Sequence, residues 1–202
     1  MKWFNPKSVS IGKDVKKIIF KEDKVIKYFK NKESYDLTLN FYNKYISFLN
    51  YLPKINSFDD SELKIDMANC GDLLSIHNLP TNWEKIIDDI TKKFIDKNIF
   101  ILDLRFLPFT PYVINNICLK NDKFFLVDVA LYRSRPTWYI QSKMLILKYQ
   151  IKLYKKLSSF LPILIIIHIF MEIIRMLTDL VIDGFIFNDV GLIYEIKNLF
   201  RK

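Results

Sequence analysis

The chain has 202 residues and a formal net charge of +9; half of it is hydrophobic and 15% is aromatic. That is long enough for one domain with a real core plus an appendage, and too apolar for an intrinsically disordered chain. The charge comes mostly from lysine and points to an acidic partner: anionic lipid, nucleic acid, a nucleotide or a phosphorylated glycan.

Two short apolar runs open the pattern, Val15–Phe20 and Lys24–Phe29, separated by Lys21-Glu22-Asp23. The second alternates charged or polar with apolar positions, so the pair is expected to be an antiparallel hairpin. Apolar residues at mostly helical spacing predict a helix over 33–49, ending before Pro53. Residues 63–67 are expected to form a strand, followed by the polar break Ala68-Asn69-Cys70-Gly71-Asp72. Trp83–Lys97 is amphipathic, with Trp83, Ile86, Ile87, Ile90, Phe94 and Ile95 on one side. A short apolar run at 99–102 ends at Asp103, and a loop with two prolines and three aromatics follows over 105–112. Residues 116–119 and 124–127 predict a second hairpin across Lys120-Asn121-Asp122-Lys123, leading into Asp128. Thr137–Leu157 is expected to be a basic helix, and 160–187 a very apolar one. The best boundary lies near Ser158-Ser159, with no internal repeat or low-complexity linker.

Cys70 and Cys118 lie far apart, with no CxxC spacing and no nearby His pair. This argues against a disulfide framework or zinc site and for buried thiols in a reducing compartment. Residues 1–10 lack the apolar h-region of a secretory signal, so the chain is expected on the cytoplasmic side. No GxSxG, P-loop or GxGxxG is present. Aromatic and basic residues interleave over 132–139, which suits a nucleic-acid strand, a membrane interface or a substrate phosphate alike. Without a sheet-borne stacking motif, nucleic acid is not the expected partner.

The order hairpin, helix, strand, polar hinge, long helix, Asp loop, hairpin, Asp resembles the protein-kinase-like superfamily, especially small atypical members such as bacterial lipopolysaccharide-core sugar kinases. The resemblance covers roughly residues 9 to 157. Its most specific stretch is Asn116-Ile117-Cys118-Leu119 through Phe124-Phe125-Leu126-Val127-Asp128, similar to the family segment in which an Asn and a final Asp hold magnesium. Phosphoryl transfer from ATP needs metal to neutralise phosphates, and hard oxygen donors on a rigid hairpin place it. Asp128 at a strand end and Asn116 at the other end of the hairpin are the implied ligands. Lys27, in Val25-Ile26-Lys27, looks like the lysine that holds the nucleotide phosphates. The stretch Ile65-Asp66-Met67-Ala68-Asn69-Cys70-Gly71 is similar to the hinge that grips an adenine, which puts Met67 and Asn69 at the nucleotide. Asp103 follows its strand as the family's catalytic aspartate does, and the resemblance makes it the general base.

Four departures accompany these matches. Only Gly12 lies in the first hairpin region, so no Gly-rich loop covers the phosphates. The loop from Asp103 to Asn116 is far longer than the family's, so either it carries an insertion or the general base is absent. Asp128-Val129-Ala130 stands where the family has Asp-Phe-Gly, and the glutamate expected as the lysine's helix partner is absent from the best-fitting position, Leu39, leaving Glu33 as the candidate early in that helix.

The resemblance implies an α+β chain with a reduced, bilobal kinase-like domain over 1–157 (N-lobe about 1–67, C-lobe about 73–157), and the apolar pattern adds a helical tail over 158–202. It implies ATP and Mg2+ as cofactors and a glycolipid or other anionic acceptor, or alternatively a degenerate binding or scaffold protein. In the tail, fifteen residues between Lys156 and Glu172 carry no formal charge; beyond them Glu172, Arg175, Asp179 and Asp183 share one helical face. Such a helix either lies on the inner face of a membrane beside the basic helix before it, or is buried core whose charged stripe faces water. The stretch that is apolar all round favours the membrane, with a spanning helix the third alternative.

Overall fold

The computed structural model describes residues 15–102, 104–107, 110–129, 132–179 and 181–182, apart from the side chains of Ile46, Ser47 and Leu49. Strands β1 (Val15–Phe20) and β2 (Lys24–Phe29) form the expected hairpin. Helix α1 (Lys32–Lys44) begins at Asn31, whose side-chain oxygen accepts the Ser34 amide at 2.8 Å, satisfying a donor the first turn leaves unpaired. It stops at Tyr45 rather than running on to residue 49. The chain tightens there into a 3-10 helix (Ile46–Tyr51), and the turn seats Phe48 fully buried against Phe41 and Phe94. Core packing overrides the helical spacing at this point.

Strands β3 (Ile55–Asp59) and β4 (Lys64–Ala68) complete an antiparallel sheet in the order β1-β2-β4-β3. Its inner face and α1 enclose a small apolar cluster of Phe29, Tyr35, Ile65 and Met67. The chain then crosses into a second, larger core. Strand β5 (Asp72–Ser75) leads to helix α2 (Trp83–Lys97), which buries Trp83, Ile87, Ile90 and Phe94 as its periodicity predicts, with Ile86 and Ile95 packed at the edge. Ile87, Ile90 and Phe94, fully buried, each contribute about 1.5–3 kcal/mol by leaving water. Asn98, in the left-handed region, ends the helix.

Strand β6 (Ile99–Ile101) pairs with β10 (Tyr132–Ser134). Between them lie β7 (Phe106–Leu107), β8 (Thr110–Lys120) and β9 (Lys123–Leu126), with β5 along the other edge of β8. The β8–β9 turn places Asn121 and Asp122 at φ 51° and 58°, the two positive values a tight two-residue hairpin demands. Helix α3 (Thr137–Leu157) closes the larger core with Tyr139, Ile140, Met144, Leu147, Ile151 and Tyr154. The expected boundary at residues 158–159 is a short turn, and α4 (Leu161–Asp179) follows it. The remainder of the apolar helix expected to residue 187 is outside the described residues, apart from 181 and 182.

The tail differs from the buried-core expectation. On α4 only Leu164, His168 and Glu172 are buried, and the charged stripe points into the protein while the apolar side faces out. The chain is therefore mixed α and β, built on antiparallel sheets, with an apolar C-terminal helix.

Candidate functional site

Side chains alternate along β2, so Val25, Lys27 and Phe29 share the inner face of the sheet while Lys24, Ile26 and Tyr28 share the outer. Opposite them Val25 meets Met67 and Lys27 meets Ile65. Lys27 is thus a cation placed in an apolar row, only 6% exposed, with its ammonium 5.1 Å from the Phe29 ring centre. A buried charge needs a partner. It finds one across 101 positions of sequence: the Lys27 Nζ donates to Asp128 Oδ1 at 3.0 Å. The Asp128 side chain remains 40% exposed, so the pair is anchored in the sheet at one end and open to solvent at the other.

Asn116 reaches the same region through a distortion of β8. Residues 110–114 of that strand pair with β7 and residues 117–120 with β9, and Asn116 sits where the partner changes. Its φ is 61°, in the left-handed region that asparagine tolerates better than most residues. Against β5 the strand bulges over the same stretch, since Ser75 pairs with Val113 and Leu73 with Cys118. Asn116 is buried, and its carbonyl accepts the Val127 amide at 3.1 Å. Asn116 and Asp128 therefore lie together at the open end of the β8–β9 hairpin rather than at opposite ends of it. An amide and a carboxylate are hard oxygen donors of the kind magnesium takes when water and substrate phosphates supply its remaining positions. Among the described residues, no group of three or more His, Cys, Asp or Glu side chains forms a self-sufficient metal cage.

Asp103 lies outside the described residues. Its neighbour Leu104 is buried and donates its amide to Ile101, and Ile101 pairs with Tyr132, four residues beyond Asp128. The long loop after Asp103 contains the β7–β8 hairpin, with Phe106 opposite Ile114 and Leu107 opposite Thr110. The described residues of that loop are thus strand built around a buried Phe106. Glu33 is exposed on the first turn of α1, and Leu39 packs against the small cluster.

The two hinge residues are placed differently from the Lys27 group. Met67 is buried in the small cluster, in a strand flanked on both sides by β2 and β3. Asn69 works as a brace: its Nδ2 donates to the carbonyls of Lys21 (2.9 Å) and Glu22 (3.3 Å), and its Oδ1 accepts from Gly71 at 3.0 Å. Its own carbonyl accepts from Lys120 Nζ at 2.8 Å. The crossing between the sheets is therefore tied to the β1–β2 turn and to the end of β8. Gly71 is required here: its φ is 81°, and a Cβ would fall 2.3 Å from the Leu119 carbonyl oxygen. Burial pushes the Cys70 thiol up to about 11 and the Cys118 thiol up to about 12, so both remain protonated. Both are free, as the sequence predicts.

Sequence reasoning missed the polar contacts of the tail. His168 is buried between the Tyr154 hydroxyl (3.1 Å from Nδ1) and the Leu107 carbonyl (3.0 Å from Nε2). Because a carbonyl only accepts, Nε2 carries the proton. Arg105 pairs with Glu172 at 3.3 Å, Arg175 bonds Glu172 at 3.1 Å and also pairs with Asp179, and Lys143 pairs with Asp179. The i, i+3 and i+4 spacing of the charges was the available signal; their partners, Lys143 on α3 and Arg105 just before β7, were not.

No protein-family model matches this chain, and no curated protein matches its sequence.

Proposed function

We propose that the chain is a reduced, bilobal kinase-like protein that binds ATP with magnesium and transfers a phosphoryl group to a sugar of a lipopolysaccharide or similar glycolipid at the inner membrane face. The observation that carries this reading is the meeting of Lys27 with Asp128 beside Asn116, residues singled out separately from motif resemblance. The two apolar clusters, one under the β1-β2-β4-β3 sheet and one under α2 and α3, correspond to the two lobes, with Asn69–Gly71 as the hinge. In this reading Lys27 holds phosphate oxygens, Asn116 and Asp128 hold the cation, and the cation neutralises charge on the transferring group. Asp103 accepts the acceptor hydroxyl's proton. The basic surface favours an anionic acceptor.

Thermal unfolding with ATP, with and without Mg2+, tests the proposal. A ligand at ten times its Kd adds about 1.4 kcal/mol, or ~3–6 °C for a chain of this size. The wild-type protein should show that shift only with Mg2+, and Asp128→Ala and Lys27→Met should abolish it. A folded wild-type protein that does not shift at millimolar Mg-ATP refutes nucleotide binding.

A second reading is favoured by the β7–β8 hairpin inside the catalytic loop and by Leu39 at the expected glutamate position: a degenerate relative that binds or scaffolds without turnover. It predicts the same thermal shift with no phosphoryl transfer, and a biological phenotype indifferent to Asp103→Ala.

A further inference from the structure

Helix α4 is amphipathic in the inverted sense. Along its inner side Leu164, His168, Glu172, Arg175 and Asp179 recur at three- and four-residue intervals; Leu164 is buried, His168, Glu172 and Asp179 bond to the body of the protein, and Arg175 ties Glu172 to Asp179 within the helix. The outer side carries Ile163, Ile165, Ile166, Ile169, Phe170, Ile173, Ile174, Met176 and Leu177, all exposed, with Ile166 at 68% and Phe170 at 62%. At 100° per residue these positions span about 180° of the helix circumference. Thr178, at the edge of that arc, turns its hydroxyl back to the Ile174 carbonyl at 2.8 Å. Exposed apolar surface of this extent on a soluble protein marks a docking surface.

We infer that this face docks flat into one leaflet of an anionic bilayer, the helix axis lying in the membrane plane. The inference deepens the membrane placement proposed above and does not depend on phosphoryl transfer. Three observations select this occupant. By length and composition α4 is also able to cross a bilayer. Its inner contacts, however, run from His168 to Asp179 and engage Tyr154 and Lys143 on α3, Arg105, and Leu107 on β7. A spanning helix would have to break those contacts and carry Glu172, Arg175 and Asp179 into hydrocarbon, at about 2.5–3.5 kcal/mol for each charge near the centre. Lying in the plane keeps every one of them and buries only the apolar arc. Finally, Lys155 and Lys156 are exposed on the last turn of α3, just before α4, and the chain carries +9 overall. Anionic headgroups complement that charge, at about 1 kcal/mol per lysine near the surface, whereas a second copy of the chain would bring like charges together.

Flotation of the full chain tests this with vesicles of phosphatidylcholine alone and with 30 mol% phosphatidylglycerol. The protein should float with the anionic vesicles, at least tenfold less with the neutral ones, and be released by alkaline carbonate. Ile166→Glu with Phe170→Glu should cut flotation at least tenfold while leaving the unfolding temperature unchanged, because both side chains are exposed. Lys155→Glu with Lys156→Glu should weaken only the anionic preference. Failure to float with anionic vesicles, or undiminished flotation of the Ile166/Phe170 variant, overturns the inference. Carbonate resistance assigns a spanning helix instead, and a vesicle-independent dimer dissociated by the Ile166/Phe170 variant assigns the face to a second copy. The Mg-ATP thermal shift, measured without vesicles, reports on nucleotide binding separately.

Discussion

Removing either end of the Lys27–Asp128 pair should have unequal consequences, and the inequality is the test. At 3.0 Å the Coulomb attraction is about 1.4 kcal/mol at the dielectric of water and about 5.5 kcal/mol at an effective value of ~20. The two ends differ in exposure, with Lys27 at 7% and Asp128 at 40%, so most of the desolvation cost falls on the lysine. Asp128→Asn leaves that buried ammonium facing a neutral amide and should cost about 2 kcal/mol, between the values for exposed and fully buried pairs. Lys27→Met removes the buried charge together with its desolvation cost, keeps the aliphatic stem against Phe29, and should cost about 1 kcal/mol or less. The double variant should resemble Lys27→Met alone, which makes the coupling energy about 2 kcal/mol, the cost of Asp128→Asn by itself. Urea unfolding of the four proteins at pH 7 measures the cycle, and thermal melts should place Asp128→Asn roughly 4–8 °C below wild type. If Asp128→Asn matches wild type and the two substitutions add within about 0.3 kcal/mol, the ion pair contributes nothing. The account of why Lys27 tolerates burial would then be wrong.

Two further outcomes follow from the crossing between the sheets and the outer sheet face. Gly71→Ala should destabilise the fold by about 2–4 kcal/mol, since it combines a disfavoured φ of 81° with a Cβ driven onto the Leu119 carbonyl. Chemical denaturation will show this as a lower midpoint, and a neutral result would mean that β8 shifts freely. Lys24, bonded at 2.7 Å, holds the Asp66 carboxyl below its ordinary 3.8, with Asn56 assisting at 3.0 Å. A depressed folded pKa gives stability that is present above the unfolded value and is lost as pH falls through the folded one. Stability should therefore decline from about pH 4 downward, and Lys24→Met should flatten that decline. An unchanged acid limb in the variant would remove Asp66 from the explanation.

The elements whose patterns are local were legible in the sequence. The β1–β2 hairpin, α2 and α3 have the predicted bounds because alternation and 3.6-residue periodicity are properties of each segment alone. The β8–β9 turn was legible for the same reason, since Asn and Asp accept the positive φ values it needs. The short strands β3, β5, β7 and β10 were not. They have two to five residues each, and their neighbours rather than their own patterns make them strands.

The candidate site was half legible. Period-2 counting puts Lys27 in the same row as Val25 and Phe29, a cation on an apolar face, so β2 breaks the polar–apolar alternation expected of it. What Lys27 pairs with cannot be read from the segment, because Asp128 lies 101 positions away and arrives only through the β8–β9 hairpin. The tail shows the same division. Sequence spacing determined that α4 has one charged face and one apolar face. Only the tertiary structure decided that the charged face turns inward, because Tyr154, Arg105 and Lys143 offer it partners there and leave the apolar face uncovered.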